Sequence, residues 1–178
     1  MLSRRKNIVL CGFMGCGKST VGKMLADRLA YKFVDTDEYI EQKSGMTIPQ
    51  IFSTHGEQSF RDIEHKAICE LAQKSNCVIA TGGGALTFGR NADELAKSGI
   101  IVFINSSFEN CWQRIKNSDR PLVASNSVEQ MHELYQARAR LYRSVAHIEA
   151  ENNGLPENAA ADIIKSLSGS LIIDEHTA

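Results

Sequence analysis

The chain lacks any excess of one charge. Its 178 residues carry 20 Lys plus Arg against 21 Asp plus Glu, a net charge of −1. Duplex-binding proteins usually show a basic excess or stripe, so nucleic acid is set aside as the main partner. No C-x-x-C pair occurs among Cys11, Cys16, Cys69, Cys77 and Cys111, and the five histidines form no metal-ligand spacing with them. An odd set of scattered cysteines reads as reduced thiols in a cytoplasmic protein, not as a disulfide framework. Long apolar runs are missing too. Ile8 to Leu10, after the basic start, is too short for the core of a secretory signal, and Ile100 to Ile104 cannot cross a bilayer that needs about 20 residues. Neither membrane nor leader is expected, and there is no internal repeat or low-complexity segment. A chain of this length suits one domain, residues 1–178.

What is present is an alternation. Short apolar runs at Ile8–Cys11, Phe33–Val34, Cys77–Ala80, Ile100–Ile104 and His147–Ala150 read as strands. Between them lie stretches with helical spacing. Val21, Met24, Leu25 and Leu29 share one face, as do Phe60, Ile63, Ala67, Ile68 and Leu71 after Gly56. Thr47-Ile48-Pro49-Gln50 and Ser127-Val128-Glu129-Gln130 are capping boxes, and Ser107 caps a helix that carries Phe108, Cys111, Trp112 and Ile115. A short helix is expected at Ala92–Ala96, and a closing one at Ile163, Ile164 and Leu167. Residues 117–126 read as a polar loop. Strand and helix in turn predict a parallel sheet covered on both faces, with ligands bound outside the carboxyl ends of the strands.

The residues placed there carry chemistry. Gly12-Phe13-Met14-Gly15-Cys16-Gly17-Lys18-Ser19 fits G-x-x-x-x-G-K-[ST] between the first strand and the first helix. Its glycines let backbone N–H groups converge on phosphate, Lys18 would hold the β- and γ-phosphates, and the Ser19 hydroxyl would ligate Mg²⁺. The motif implies a nucleoside triphosphate. No Asn-Lys-x-Asp base-reading motif follows, which argues against a GTPase-like switch. Asp35 and Asp37 are the only carboxylates at a strand end, and two positions apart on extended chain they can face one side. Asp35 would then serve the metal and Asp37 an acceptor hydroxyl, unless Asp37 only caps the next helix. Gly82-Gly83-Gly84 is either a plain turn or a surface for close ligand approach. Arg61 opens the long helix, and Arg138 is expected on an apolar stripe with Leu134 and Leu141. Each needs a carboxylate partner or a ligand. Arg120, in the polar loop, is either solvated or brought onto a transferring phosphoryl group.

Together these segments resemble the shikimate kinase family of small P-loop kinases. The matching pieces are Gly12 to Thr20, Asp35-Thr36-Asp37, Gly56 to Arg61, Thr81 to Gly84, Arg120-Pro121-Leu122 and Arg138 to Arg143, in family order. The resemblance implies a three-layer α/β/α P-loop NTPase fold with a five-stranded parallel sheet and a mobile lid at about 117–126. It implies ATP-dependent phosphorylation of the 3-hydroxyl of shikimate on the route to chorismate and the aromatic amino acids. By position, Lys18, Asp37 and Arg120 would be catalytic, with Asp37 the base. Gly12, Gly15, Cys16, Gly17, Lys18, Ser19, Thr20 and Arg120 would hold ATP, and Ser19 and Asp35 would serve Mg²⁺. Asp37, Arg61, Gly82, Gly83, Gly84 and Arg138 would hold shikimate, the two arginines as a carboxylate clamp. Gluconate, which also has hydroxyls and a carboxylate, is the rival acceptor. Near the family's adenine loop, Ala150-Glu151, before Asn152-Asn153-Gly154-Leu155-Pro156, stands where the family often has an Asp-Thr pair, and Cys16 replaces the more usual serine. The tail, 168–178, matches nothing and either packs locally or stays disordered. With little net charge and no apolar surface stripe, the expected state is a monomer.

Overall fold

Apolar runs of four to seven residues cannot offer a wet face, and three of the five strands are buried on both sides. The structure, a computed structural model, describes residues 6–118 and 120–169. Its strands are β1 (Asn7–Cys11), β2 (Lys32–Asp35), β3 (Cys77–Ala80), β4 (Gly99–Asn105) and β5 (Ile148–Glu151). They form one parallel sheet in the order β2-β3-β1-β4-β5, with Leu10 in register with Ala80 on one side and Val102 on the other. The helices are α1 (Lys18–Leu29), α2 (Thr36–Ser44), α3 (Ile48–Ala72), α4 (Gly89–Ser98), α5 (Phe108–Ile115), α6 (Pro121–Ser125), α7 (Val128–Val145) and α8 (Pro156–Gly169).

The period-2 alternation of the strands divides the core into two layers. Ile8, Leu10, Val78, Val102 and Ile104 face one way, onto Val21 and Leu25 of α1 and Ile163 and Leu167 of α8. Val9, Cys11, Ile79, Ile101 and Phe103 face the other, onto Ile68 and Leu71 of α3, Leu95 of α4, and Ala139 and Tyr142 of α7. This is the three-layer α/β/α arrangement. A smaller cluster of Ile40, Ile51, Phe60 and Ala67 ties α2 to α3. Each buried Ile or Phe there contributes roughly 1.5–3 kcal/mol, so the helix that follows β2 rests on its own support. The strand order reverses at β1, which opens the crevice beyond the carboxyl ends of β1, β3 and β4.

Both capping boxes form, with the amide N–H of Thr47 and of Ser127 each donating 2.8 Å to the glutamine three residues on. Four details differ from the sequence reading. The helices expected on either side of Gly56 run as one element, interrupted at Gly56, where φ is +78°. The polar stretch 117–126 is not all loop, because Pro121 at the first helical position starts the short α6 after Arg120. Leu141 is 44% exposed and shares no buried stripe with Arg138. The inward face of α7 runs through Met131, Ala139 and Tyr142, and Arg138 lies at its edge. At the tail, Ser168 and Gly169 belong to α8, and 170–178 lie outside the described residues, as does the basic start at 1–5.

Candidate active site

Directly after β1 the chain curls around the N-terminus of α1. Gly17 caps that helix in the left-handed region, φ +98°, with no side-chain cap, so the first-turn N–H groups stay open to a ligand. Lys18 Nζ donates to the carbonyls of Gly12 at 2.8 Å and Phe13 at 3.1 Å, folding over the loop. Two side chains from elsewhere hold the backbone of the loop. Arg114 of α5 donates to the Gly15 carbonyl at 2.8 Å, and Asn152, just after β5, donates to the Cys16 carbonyl at 2.8 Å. The loop lines a cavity of about 300 Å³ that also reaches Ser19, Thr20, Arg114 and Arg120.

The two aspartates meet in that cavity, though not by strand alternation. Asp35 is the N-cap of α2, and its Oδ1 accepts from the Asp37 N–H at 3.0 Å. The capping role considered for Asp37 therefore falls to Asp35. Asp37 sits in the first helical turn, and it is this cap, not extended chain, that brings the carboxylates together. Asp35 Oδ2 also takes a hydrogen bond from Ser19 Oγ at 3.3 Å, which leaves two hard oxygens side by side at the cradle. Among the described residues no cluster of three His, Cys, Asp or Glu could hold a metal ion. Mg²⁺ fits this pair nonetheless, because it takes one or two protein oxygens and fills its octahedron with phosphate and water.

Asp37 is half-buried, and its carboxyl is pushed up from 3.8 to about 6. Burial is the main cause, followed by the charges of Asp35 and Glu64. Lys18 and Arg120 pull the other way. The Gly82 turn approaches so closely that a Cβ on Gly82 would stand 2.5 Å from Asp37 Oδ1. The Gly82 N–H donates to Thr36 Oγ1 at 2.8 Å, which locks this approach.

Asp37, Gly82, Gly83, Met14 and Arg120 also line a second cavity of about 150 Å³ that adjoins the first. Its cationic end is Arg61 and Arg138, whose guanidinium nitrogens both come within 3.7 Å of where a Cβ on Gly84 would be. Its apolar wall includes Ile48, Phe52 and Leu122. The two alternatives left open for the arginines resolve differently. Arg61 does have internal partners, Glu64 at 3.1 Å and Glu57 at 3.3 Å. Its guanidinium also stands 5.1 Å from the centre of the Phe60 ring and 4.8 Å from that of Phe88. Glu64 is only 2% exposed, and burial holds its carboxyl above the usual range against the pull of Arg61. Arg138 has no ion pair among the described residues. Burial, offset in part by Tyr142, and then the charge of Arg61 make its guanidinium less basic than usual. A half-buried cation without a carboxylate suits an anionic ligand.

Every sequence-predicted site residue thus lines one of two joined cavities except Gly12 and Cys16, which are buried in the loop behind them. Glu64, Phe88, Arg114 and Asn152 were not anticipated. Glu64 could have been found from its position three residues beyond Arg61 on a helix. Nothing local marks the other three, which reach the site only through tertiary packing.

A family model described as shikimate kinase matches residues 14–168. A shikimate kinase of Thermodesulfovibrio yellowstonii is 45% identical over 163 residues, 90% of this chain and 94% of that protein. One of Hahella chejuensis is 41% identical over 169 residues, 93% of this chain and 88% of that protein. Among solved structures, a shikimate kinase from Acinetobacter baumannii in complex with shikimate superposes with a TM-score of 0.83 at 39% identity. It covers 97% of this chain and 96% of its own. The Aquifex aeolicus shikimate kinase gives a TM-score of 0.80 at 34% identity, covering 94% and 99%.

Proposed function

The chain belongs to the shikimate kinase family, and from that membership and the two joined cavities we propose that it transfers the terminal phosphoryl group of ATP to the 3-hydroxyl of shikimate. The observation that carries this reading is Arg138, a half-buried guanidinium with no ion pair among the described residues, set beside Arg61 at one end of the smaller cavity. Asp37 lies where that cavity joins the phosphate cavity. An acceptor carboxylate held by the two guanidinium forks turns its hydroxyls toward Asp37. The relatives' name and the shikimate-bound neighbour make shikimate the acceptor of choice over gluconate.

In this reading Asp37 takes the hydroxyl proton. A carboxylate with a value near 6 is a better base than an ordinary one and is still ionised at neutral pH, the compromise that general-base catalysis favours. Lys18, Arg120 and the N–H groups of the α1 turn face the triphosphate and stabilise charge on its equatorial oxygens, which supplies most of the rate. Ser19 and Asp35 would hold Mg²⁺, which, when bound, neutralises phosphate charge. The apolar wall of Ile48, Phe52 and Leu122 keeps water from competing with the acceptor. Arg120 stands just before α6, on the segment we read as the closing lid. One chain supplies every group, in keeping with a monomer, and the product belongs on the route to chorismate.

A coupled ADP-release assay with ATP, Mg²⁺ and either shikimate or gluconate tests this. Shikimate-dependent turnover that Asp37→Asn removes is the expected result. Turnover with gluconate alone would overturn the acceptor, and turnover undiminished by Asp37→Asn would remove the base.

A further inference from the structure

The cradle's own side chains are accounted for by the proposed function, but Asn152, one of the two that hold its backbone, is not. Asn152 is 3% exposed and lies 136 residues from the loop it touches. Its Nδ2 donates 2.8 Å to the Cys16 carbonyl, and its Oδ1 is a buried acceptor with no partner. The opposite amide orientation would set Oδ1 against that carbonyl, oxygen to oxygen, so the carbonyl fixes the orientation. Asn152 is itself held on both sides. Its own N–H donates 2.7 Å to Asn105 at the end of β4, and the neighbouring Asn153 Oδ1 accepts from the Ser107 N–H at 2.7 Å.

We propose that Asn152 is a positioning residue for phosphate binding, fixing the Cys16–Gly17 peptide so that the Gly17 N–H faces the cavity. The argument is geometric. A trans peptide sets its C=O and N–H antiparallel, and no cis peptide occurs among the described residues. A Cys16 carbonyl tied outward to Asn152 therefore turns the Gly17 N–H inward, onto the cavity that Gly17 and Lys18 line. The peptide before it is committed differently, because the Cys16 N–H donates to the Phe13 carbonyl at 3.2 Å within the loop. Gly17 needs such a tether. A glycine moves readily between positive and negative φ, so its flanking peptides flip at little cost unless held. The amide also packs onto it, since a Cβ on Gly17 would stand 2.4 Å from Asn152 Nδ2.

This inference rests on the nucleotide site proposed above, and its test does not depend on the acceptor. The affinities of ADP and of inorganic tripolyphosphate, which carries phosphates without a base, are measured by calorimetry for wild type, Asn152→Ala and Asn152→Asp. The aspartate fills the same space but, ionised, cannot donate. Both affinities should fall roughly tenfold in both variants, the cost of one buried hydrogen bond lost, and the aspartate should do no better than the alanine. ATP KM should rise in parallel while shikimate KM stays within about twofold. Unchanged tripolyphosphate affinity in a folded Asn152→Asp protein would overturn the proposal, as would a loss confined to ADP, which marks a base-loop role. A lowered Tm with intact binding would overturn it too. If neither variant folds, the wild-type Gly17 amide resonance decides. It must shift on adding tripolyphosphate, and an unmoved resonance would refute the assignment. Failure of wild-type turnover with shikimate, by contrast, would touch only the acceptor reading.

Discussion

Replacing Asp37 by asparagine should make the free protein more stable while removing its activity. The carboxyl is raised from 3.8 to about 6, so the folded chain binds that proton more tightly than the unfolded chain does. Between about pH 4 and pH 6 the folded state therefore carries more protons, and wild-type stability falls as pH rises through that window. Above it the full cost of holding an ionised carboxylate is present. One unit corresponds to 1.36 kcal/mol, which sets a ceiling of roughly 3 kcal/mol. Asp37 is half-buried and keeps some contact with water, so about 1–2 kcal/mol is expected. The attractions to Lys18 and Arg120 are already contained in that net shift.

For a chain of this size, about 1–2 kcal/mol corresponds to a Tm roughly 2–8 °C higher at pH 8. Thermal unfolding of wild type and Asp37→Asn, followed by circular dichroism from pH 4 to pH 8 without nucleotide, reads it directly. The two curves should converge as pH falls toward 4, where the folded-state side chains are both neutral, diverge as pH rises toward 6, and keep a constant gap above it. Turnover with shikimate should fall by at least about a hundredfold over the whole range. Equal Tm values at pH 8, or a gain that persists undiminished at pH 4, would refute the claim that Asp37 is held against its own ionisation.

The acid limb of wild-type kcat/KM should have its midpoint near pH 6, set by the same group, and a midpoint near 4 would point to an unperturbed carboxylate. Gly82→Ala places a Cβ 2.5 Å from Asp37 Oδ1, so kcat should drop more than about tenfold while ADP affinity, read by calorimetry, holds. Arg138→Lys keeps the charge and loses the fork, so it should raise shikimate KM and leave ATP KM alone in steady-state kinetics. Phe88→Ala removes one of the two rings over Arg61. A loss of about 0.5–1 kcal/mol predicts a two- to fivefold rise in shikimate KM, which Phe88→Tyr should reverse.

The sheet was legible because its signal is local and redundant. Ile8–Cys11, Cys77–Ala80 and Ile100–Ile104 are too short for helices and too apolar for loops, and each lies in the buried sheet. The cradle was legible because its chemistry needs fixed residue types at fixed spacing. Asp35 does end a strand, but Asp37 lies in the helix that follows, so the relation between the two differs from the one the spacing suggests. Alternation along extended chain holds only while the chain stays extended, and α2 begins at Thr36. Arg138 was expected on a stripe with Leu141, which faces solvent, because a guanidinium beside a cavity mimics a core position in a pattern of apolar spacing. The hold of Asn152 and Arg114 on the phosphate loop leaves no sequence signal, although the resemblance sets Asn152 beside the adenine loop. Their partners are backbone carbonyls, which every residue has, and only packing across 136 and 99 residues brings them there.

The same physics explains why Asp37 needs so much around it. A carboxylate that resists ionisation is a good base and a poor structural residue, so the segment carrying it must be held by other groups. Asp35 fixes its backbone N–H, Thr36 ties the Gly82 turn against it, and Ile40, Ile51 and Phe60 anchor the helices behind it. The cost of ionisation thus falls on Asp37 itself. Stability and activity should separate cleanly there, whereas changes at Ile51 or Phe60 should lower both together, by about 2–5 kcal/mol for truncation to alanine.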